Sequence, residues 1–116
     1  MALGPKTVLV IAGLDPSGGA GLLADARVCA EHGVRTVGVA TALTVQDTSG
    51  VRAVEPAPVA FVEDQLRALL ADVQVDAVKI GMLGDEKIAR AVANALAATR
   101  APVVWDPVLM PTRGGV

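Results

Sequence analysis

Asp15, Thr44, Gln46, Met82 and Asp106 each stand just beyond a stretch that reads as a β-strand. In an open parallel sheet, ligands bind outside the carboxyl ends of the strands, so these residues would share one rim. Two carboxylates, an amide, a flexible apolar side chain and several glycine backbones suit a small ring bearing polar substituents. The same positions offer no His, Cys or Ser nucleophile.

The first of these residues lies in a glycine-rich loop, "AGLDPSGGAG" at 12–21, directly behind the apolar run "TVLVIA". From Gly13 to Gly18 the spacing copies the start of a Walker A loop. Gly19 then occupies the place of the phosphate-binding lysine, so that reading fails. "GAGLLA" at 19–24 fits the dinucleotide fingerprint. The acidic residue expected at the end of the next strand is replaced by Ala40 and Thr41, which makes that fit weak. A third reading is steric: glycines permit positive φ angles and close backbone approach in a strand-to-helix turn.

The elements that must position these residues follow from periodicity. "TVLVIA" is a continuous β-branched run, the pattern of a strand covered on both faces. Leu22, Ala26 and Cys29 then recur at helical spacing until Gly33, a residue suited to the left-handed position past a helix end. "RTVGVAT" at 35–41 is a second strand, followed by the polar segment "LTVQDTSG", read as a long loop, and a short extended piece around "VRAVE". Pro58 suits a first helical position, and Val62, Leu66, Leu69 and Val73 form one buried helical stripe. "DAVKIG" is a strand, Asp85 caps a helix striped by Ile88, Val92 and Leu96, and "PVVWD" is a final strand. This alternation predicts an α/β fold: right-handed βαβ units building a parallel sheet with helices on both faces. The last strand lacks a following helix, so the chain reads as the first part of a longer α/β protein or as one whose sheet edge a partner covers. An uncovered edge also favours self-association into a homo-oligomer.

Bulk composition narrows the class. The chain has 116 residues, 53% hydrophobic and 19% charged, with net charge −2, the profile of a globular domain with one core. The balanced charge and two aromatic residues, one Trp and one Phe, leave no case for nucleic acid. Apolar runs are strand-sized, well below the roughly 20 residues of a membrane-spanning helix, and the amino terminus lacks a signal-peptide cleavage pattern. One cysteine can form no internal disulfide, in keeping with a reducing compartment, so the cytoplasm is the expected location.

Taken together, "AGLDPSGGAGLLAD", "TALTVQDTSGV", "VKIGML" and "WDPV" resemble the hydroxymethylpyrimidine/phosphomethylpyrimidine kinases of thiamine biosynthesis, which are ribokinase-like enzymes. The four motifs stand in family order and span nearly the whole chain. The resemblance implies a ribokinase-like fold, of which residues 1–116 would be the amino-terminal portion of a single kinase domain. It also implies phosphorylation of 4-amino-5-hydroxymethyl-2-methylpyrimidine and then of its monophosphate, with ATP and Mg2+. In that family the glycine loop and the loop after the second strand enclose the aminopyrimidine.

Carried over by resemblance, the substrate contacts fall on Gly13, Asp25, Thr44, Gln46, Met82 and Val108. The Gln46 amide carries a donor and an acceptor, matching an aminopyrimidine edge. Thr44 would contribute backbone groups, Met82 would lay its thioether on the ring face, and Asp106 would help arrange magnesium and phosphates. Family members continue well past this point, and their second half carries most of the ATP site, an anion hole and the residue that activates the hydroxyl. No catalytic residue is therefore expected in this chain, which would be inactive alone. "PTRGG" also departs from the Lys/Ser-Gly type of sequence expected after the last strand. Two other readings compete: a non-catalytic pyrimidine-binding module or degenerate paralogue, and a pyridoxal or sugar kinase of the same superfamily.

Several residues have plainer roles. Asp15 and Asp25 suit capping of the loop and first helical turn. His32 suits a helix carboxyl end, and Cys29 reads as a small core residue. Lys79, inside a strand, implies either a buried ion pair or an edge position. Glu86, Lys87 and Arg90 form a solvated helix face.

Overall fold

A computed structural model describes residues 4–106. The elements in chain order are β1 (Thr7–Leu14), α1 (Gly21–Glu31), β2 (Arg35–Asp47), β3 (Gly50–Pro56), α2 (Val59–Asp72), β4 (Ala77–Ile80), α3 (Glu86–Leu96) and β5 (Val103–Trp105). They build one five-stranded sheet in the order β3-β2-β1-β4-β5.

β1 forms the middle of the sheet because its run of apolar residues needs cover on both faces. Leu9, Val10, Ile11 and Ala12 are all buried. On one face, Leu9 and Ile11 join Val39, Val78 and Ile80 from neighbouring strands. Val62 and Leu66 of α2 and Ile88 and Val92 of α3 close that cluster. On the other face lies α1. Its Leu22 Cδ2 comes within 3.0 Å of the point a Cβ on Gly38 would occupy, so the missing side chain lets helix and strand approach closely. Helices therefore cover both faces.

The sheet is mixed, not wholly parallel. β1 pairs parallel with β2 and β4, and β4 with β5, but β3 returns antiparallel to β2. The polar segment after residue 41 is accordingly not a loop: it is the outer part of the 13-residue β2, joined to β3 by a tight turn. The Asp47 carboxylate accepts the Ser49 N–H at 2.8 Å within that turn, the Asx arrangement that lets a short polar side chain replace a backbone bond. On this hairpin the half-buried face carries Thr44 and Gln46, whereas apolar Leu43 and Val45 are exposed. This inversion of the usual pattern is why alternation did not mark it as a strand.

Helix ends agree with their sequence signals, with small shifts. Asp85 caps α3 by accepting the Ile88 N–H at 2.8 Å. Pro58 stands at the N-cap of α2, one residue before the expected position, and Val73 is already extended beyond its end. Past α1, Gly33 takes φ 70°, and the ring of His32 lies 3.0 Å from the Val28 carbonyl. Cys29 is half-buried, not a core residue, because α1 lies on the outer face of the sheet and buries none of its side chains completely. Glu86, Lys87 and Arg90 are exposed, with Arg90 and Glu86 paired at 3.0 Å. Among the described residues no helix is long and apolar enough to cross a membrane.

Leu66 is fully buried between helix and sheet. Leu66→Ala is expected to lower unfolding free energy by about 2–5 kcal/mol, the usual cost of lost transfer energy plus a residual cavity. Urea titration followed by circular dichroism measures it, and a change inside experimental error would mean the site collapses around the smaller side chain.

Candidate functional site

The strand order reverses between β1 and β4. From β1 the chain moves outward through β2 and β3, then crosses back to β4 and β5 on the other side. With α1 on one face and α2 and α3 on the other, the crossovers diverge at the carboxyl ends of β1 and β4, the position at which open α/β sheets form their ligand crevice.

The glycine loop forms one wall. Gly18 and Gly21 adopt φ 76° and 65°, conformations costly for residues with side chains. A Cβ on Gly21 would collide with the Gly13 carbonyl oxygen, so this glycine is required for the chain to turn back on β1. Leu14 and Gly21 form an isolated bridge across the turn.

Asp15 organises the interior of the loop. Its Oδ1 accepts from the Ser17 N–H at 2.8 Å and the Ser17 hydroxyl at 2.7 Å, while Oδ2 accepts from the Gly19 N–H at 3.1 Å. The residue is buried, so it does not face water as a simple cap would. Burial works to raise its pKa, but the hydrogen bonds from Ser17, Ala20 and Gly19 outweigh it and hold the carboxyl below the ordinary value of 3.8. Arg27 of α1 donates to the Gly18 carbonyl at 3.2 Å and ties the loop to its helix.

β4 and β2 supply the remaining walls. Gly81 N–H donates to the Ile11 carbonyl at 2.8 Å, aligning the end of β4 with β1. Met82 Cε lies 2.9 Å from the point a Gly13 Cβ would occupy, so Gly13 leaves room for this thioether. The fully buried Thr41 donates its hydroxyl to the Met82 carbonyl at 2.8 Å. Thr44 Oγ1 lies 2.9 Å from both the Leu14 carbonyl and Gln46 Oε1. Gly13, Thr44, Gln46 and Met82 are thus joined by a continuous set of contacts around the ends of β1, β2 and β4. Thr44 and Gln46 do so from within β2, not from a loop after it.

Asp106 follows β5 on the same rim, exposed, with its N–H donating to the Ile80 carbonyl at 2.9 Å. Asp25 lies lower, on α1, paired with Lys79 of β4 at 2.7 Å. Val108 and the segment 111–115 lie outside the described residues. Among the described residues no group of three or more His, Cys, Asp or Glu side chains is arranged to hold a metal ion. A separate groove of about 390 Å³ lies at the opposite end of the sheet, lined by Lys6, Arg35 and Asp72 among others. Its Asp76 carboxylate already accepts the Thr7 N–H at 2.8 Å, and it sits where strands begin, away from the crevice.

The sequence model of one protein family, Phosphomethylpyrimidine kinase, matches residues 15–116. This chain belongs to that family. It is 42% identical over 104 residues to the hydroxymethylpyrimidine/phosphomethylpyrimidine kinase of Streptomyces coelicolor, covering 90% of this chain and 39% of that protein. The crystal structure of phosphomethylpyrimidine kinase from Clostridium difficile 630 superposes with a TM-score of 0.87 at 36% identity, covering 96% of this chain and 48% of that one. A Staphylococcus aureus pyridoxal kinase, solved with AMP-PCP and pyridoxal, superposes with a TM-score of 0.80 at 35% identity, covering 89% and 39%. The chain therefore spans less than half the length of these family relatives, and its α/β sheet is the ribokinase-like one.

Thr41 opens the motif "TALTVQDTSGV" but has no role assigned by sequence, and its hydroxyl bonds the Met82 carbonyl. Besides the motif, the signal was a hydroxyl residue closing an apolar strand. The depressed Asp15 pKa has a definite sign. A carboxyl whose folded pKa lies below 3.8 contributes stability above that value and loses it as pH falls through the folded pKa. The stability difference between the original chain and Asp15→Asn is expected to be constant above about pH 5 and to narrow steadily below about pH 4. Urea unfolding across that range measures it, and a difference independent of pH would remove the carboxylate's charge from the account.

Proposed function

We propose that this chain is the pyrimidine-binding, amino-terminal portion of a hydroxymethylpyrimidine/phosphomethylpyrimidine kinase domain. The reaction is ATP-dependent phosphorylation of 4-amino-5-hydroxymethyl-2-methylpyrimidine and its monophosphate in thiamine biosynthesis. The observation that carries this reading is the meeting of Gly13, Thr44, Gln46 and Met82 at one strand-order reversal.

Each part has a physical task. Gly13 leaves room for the Met82 side chain at the end of β1, and the Met82 thioether offers a soft apolar face to a flat ring. The Thr44 hydroxyl has one proton and faces two acceptors, the Leu14 carbonyl and Gln46 Oε1. Turning the Gln46 amide over resolves this: Thr44 donates to Leu14, and Gln46 Nε2 donates to Thr44. The other N–H of Gln46 and its carbonyl oxygen then remain for the amino group and ring nitrogen of the pyrimidine. ATP with magnesium supplies the phosphoryl group and neutralises its charge when bound. The exposed Asp106 fits this role as one carboxylate ligand, since magnesium keeps several waters and takes only one or two protein carboxylates.

Pyridoxal, another polar-substituted six-membered ring, is the second reading, favoured by the likeness to the pyridoxal kinase of Staphylococcus aureus. Thermal shift with each ligand at equal concentration separates the two, because the tighter ligand stabilises the folded state more, by an amount that grows with the logarithm of concentration over Kd.

Calorimetry with the aminopyrimidine is expected to detect binding by this chain. The chain with ATP, magnesium and the same ligand yields no phosphorylated product, because the γ-phosphate contacts belong to the other half of the family fold; sustained turnover would overturn that division. Gln46→Ala is expected to weaken pyrimidine affinity by about tenfold or more, roughly 1.4 kcal/mol, with little change in melting temperature. Unchanged affinity would remove Gln46 from the pocket.

A further inference from the structure

Lys79 lies in the middle of β4, and β4 is flanked by β1 and β5, so it occupies no sheet edge. Its neighbours Val78 and Ile80 belong to the core cluster, which turns Lys79 to the opposite face, under α1. There its Nζ meets Asp25 Oδ2 at 2.7 Å, with the two side chains only 30% and 23% exposed. The three other ion pairs among the described residues join residues at most five apart in sequence and lie at the surface. This one bridges 54 residues.

The placement points towards the crevice. Lys79 Nζ lies 3.5 Å from where a Gly81 Cβ would stand, so the side chain runs along β4 towards its carboxyl end. Asp25 sits one turn into α1, directly after the glycine loop. Its Oδ1 makes no hydrogen bond to any described residue. A largely buried ion pair rarely improves on a well-packed apolar pair in stability, because desolvation offsets the attraction. Stability alone therefore gives little reason for charges here.

We propose that Lys79 is a positioning residue of the pyrimidine site. By occupying Oδ2, it fixes the Asp25 carboxylate so that Oδ1 accepts a hydrogen bond from an N–H or O–H of the ligand. The pair then selects ring ligands that bring a donor to this point and rejects those that bring an acceptor, whose lone pairs would face the carboxylate oxygen. This inference rests on the pyrimidine reading above.

Calorimetry on this chain tests it with three ligands: 4-amino-5-hydroxymethyl-2-methylpyrimidine, the analogue lacking the hydroxyl and the analogue lacking the amino group. Lys79→Met is expected to weaken the parent ligand by about tenfold. It leaves unchanged the affinity for the one analogue that lacks the donor Oδ1 accepts. Lys79→Arg, which keeps the ion pair, restores parent affinity to within about threefold. Asp25→Asn follows the pattern of Lys79→Met and carries the test if that variant fails to fold. An equal loss for all three ligands would assign Lys79 a purely structural role, and no loss would assign it none. If the original chain binds no pyrimidine, the reading beneath this inference falls with it.

Discussion

β1 hydrogen-bonds in parallel to β2 on one side and to β4 on the other, and its side chains are buried on both faces. Among the described residues no other strand is so enclosed, and the remaining elements are arranged around it. Because the chain must leave this central strand in one direction and return on the far side, α1 and the α2–α3 layer lie on opposite faces. The carboxyl end of β1 is consequently the place where backbone from separate segments meets without a helix above it. Burial of one apolar run thus dictates where a ligand can enter.

The crevice is built from backbone as much as from side chains. Gly21 must be glycine for the loop to pass the Gly13 carbonyl, and Gly13 leaves room for Met82. Asp15 makes its hydrogen bonds inside the loop, which makes it a scaffold of the turn. Thr41 and Thr44 are similar: their hydroxyls bond the Met82 and Leu14 carbonyls and hold three strands in register at the rim. Under the proposed reading, Gln46, Asp25 and Asp106 supply the polar atoms that would orient one ring and one phosphate group.

Secondary structure was legible wherever local chemistry dominates. The β-branched run of β1, the Asp85 cap, the stripe of α2 and Gly33 past α1 all reflect interactions within a few residues. Of the β2–β3 hairpin, the inner half of β2 and the extended piece that becomes β3 were legible, but the outer half of β2 was not. Its apolar side chains Leu43 and Val45 are exposed, while the polar Thr44 and Gln46 are half-buried, with the Thr44 hydroxyl 2.9 Å from the Leu14 carbonyl and from Gln46 Oε1. Polar groups bonded to one another inside the sheet's rim reverse the alternation that burial alone would set.

The motif residues Gly13, Asp25, Thr44, Gln46, Met82 and Asp106 could be named from the sequence, as could the α/β class, since both rest on residue type and order. Which of them touch was decided only by the tertiary structure. The antiparallel return of β3, the pairing of Lys79 with Asp25 and the bond from Thr41 to Met82 join residues tens of positions apart. Such contacts depend on strand order and register, and these are selected by the burial of the whole sheet between its helices, a quantity no short segment carries.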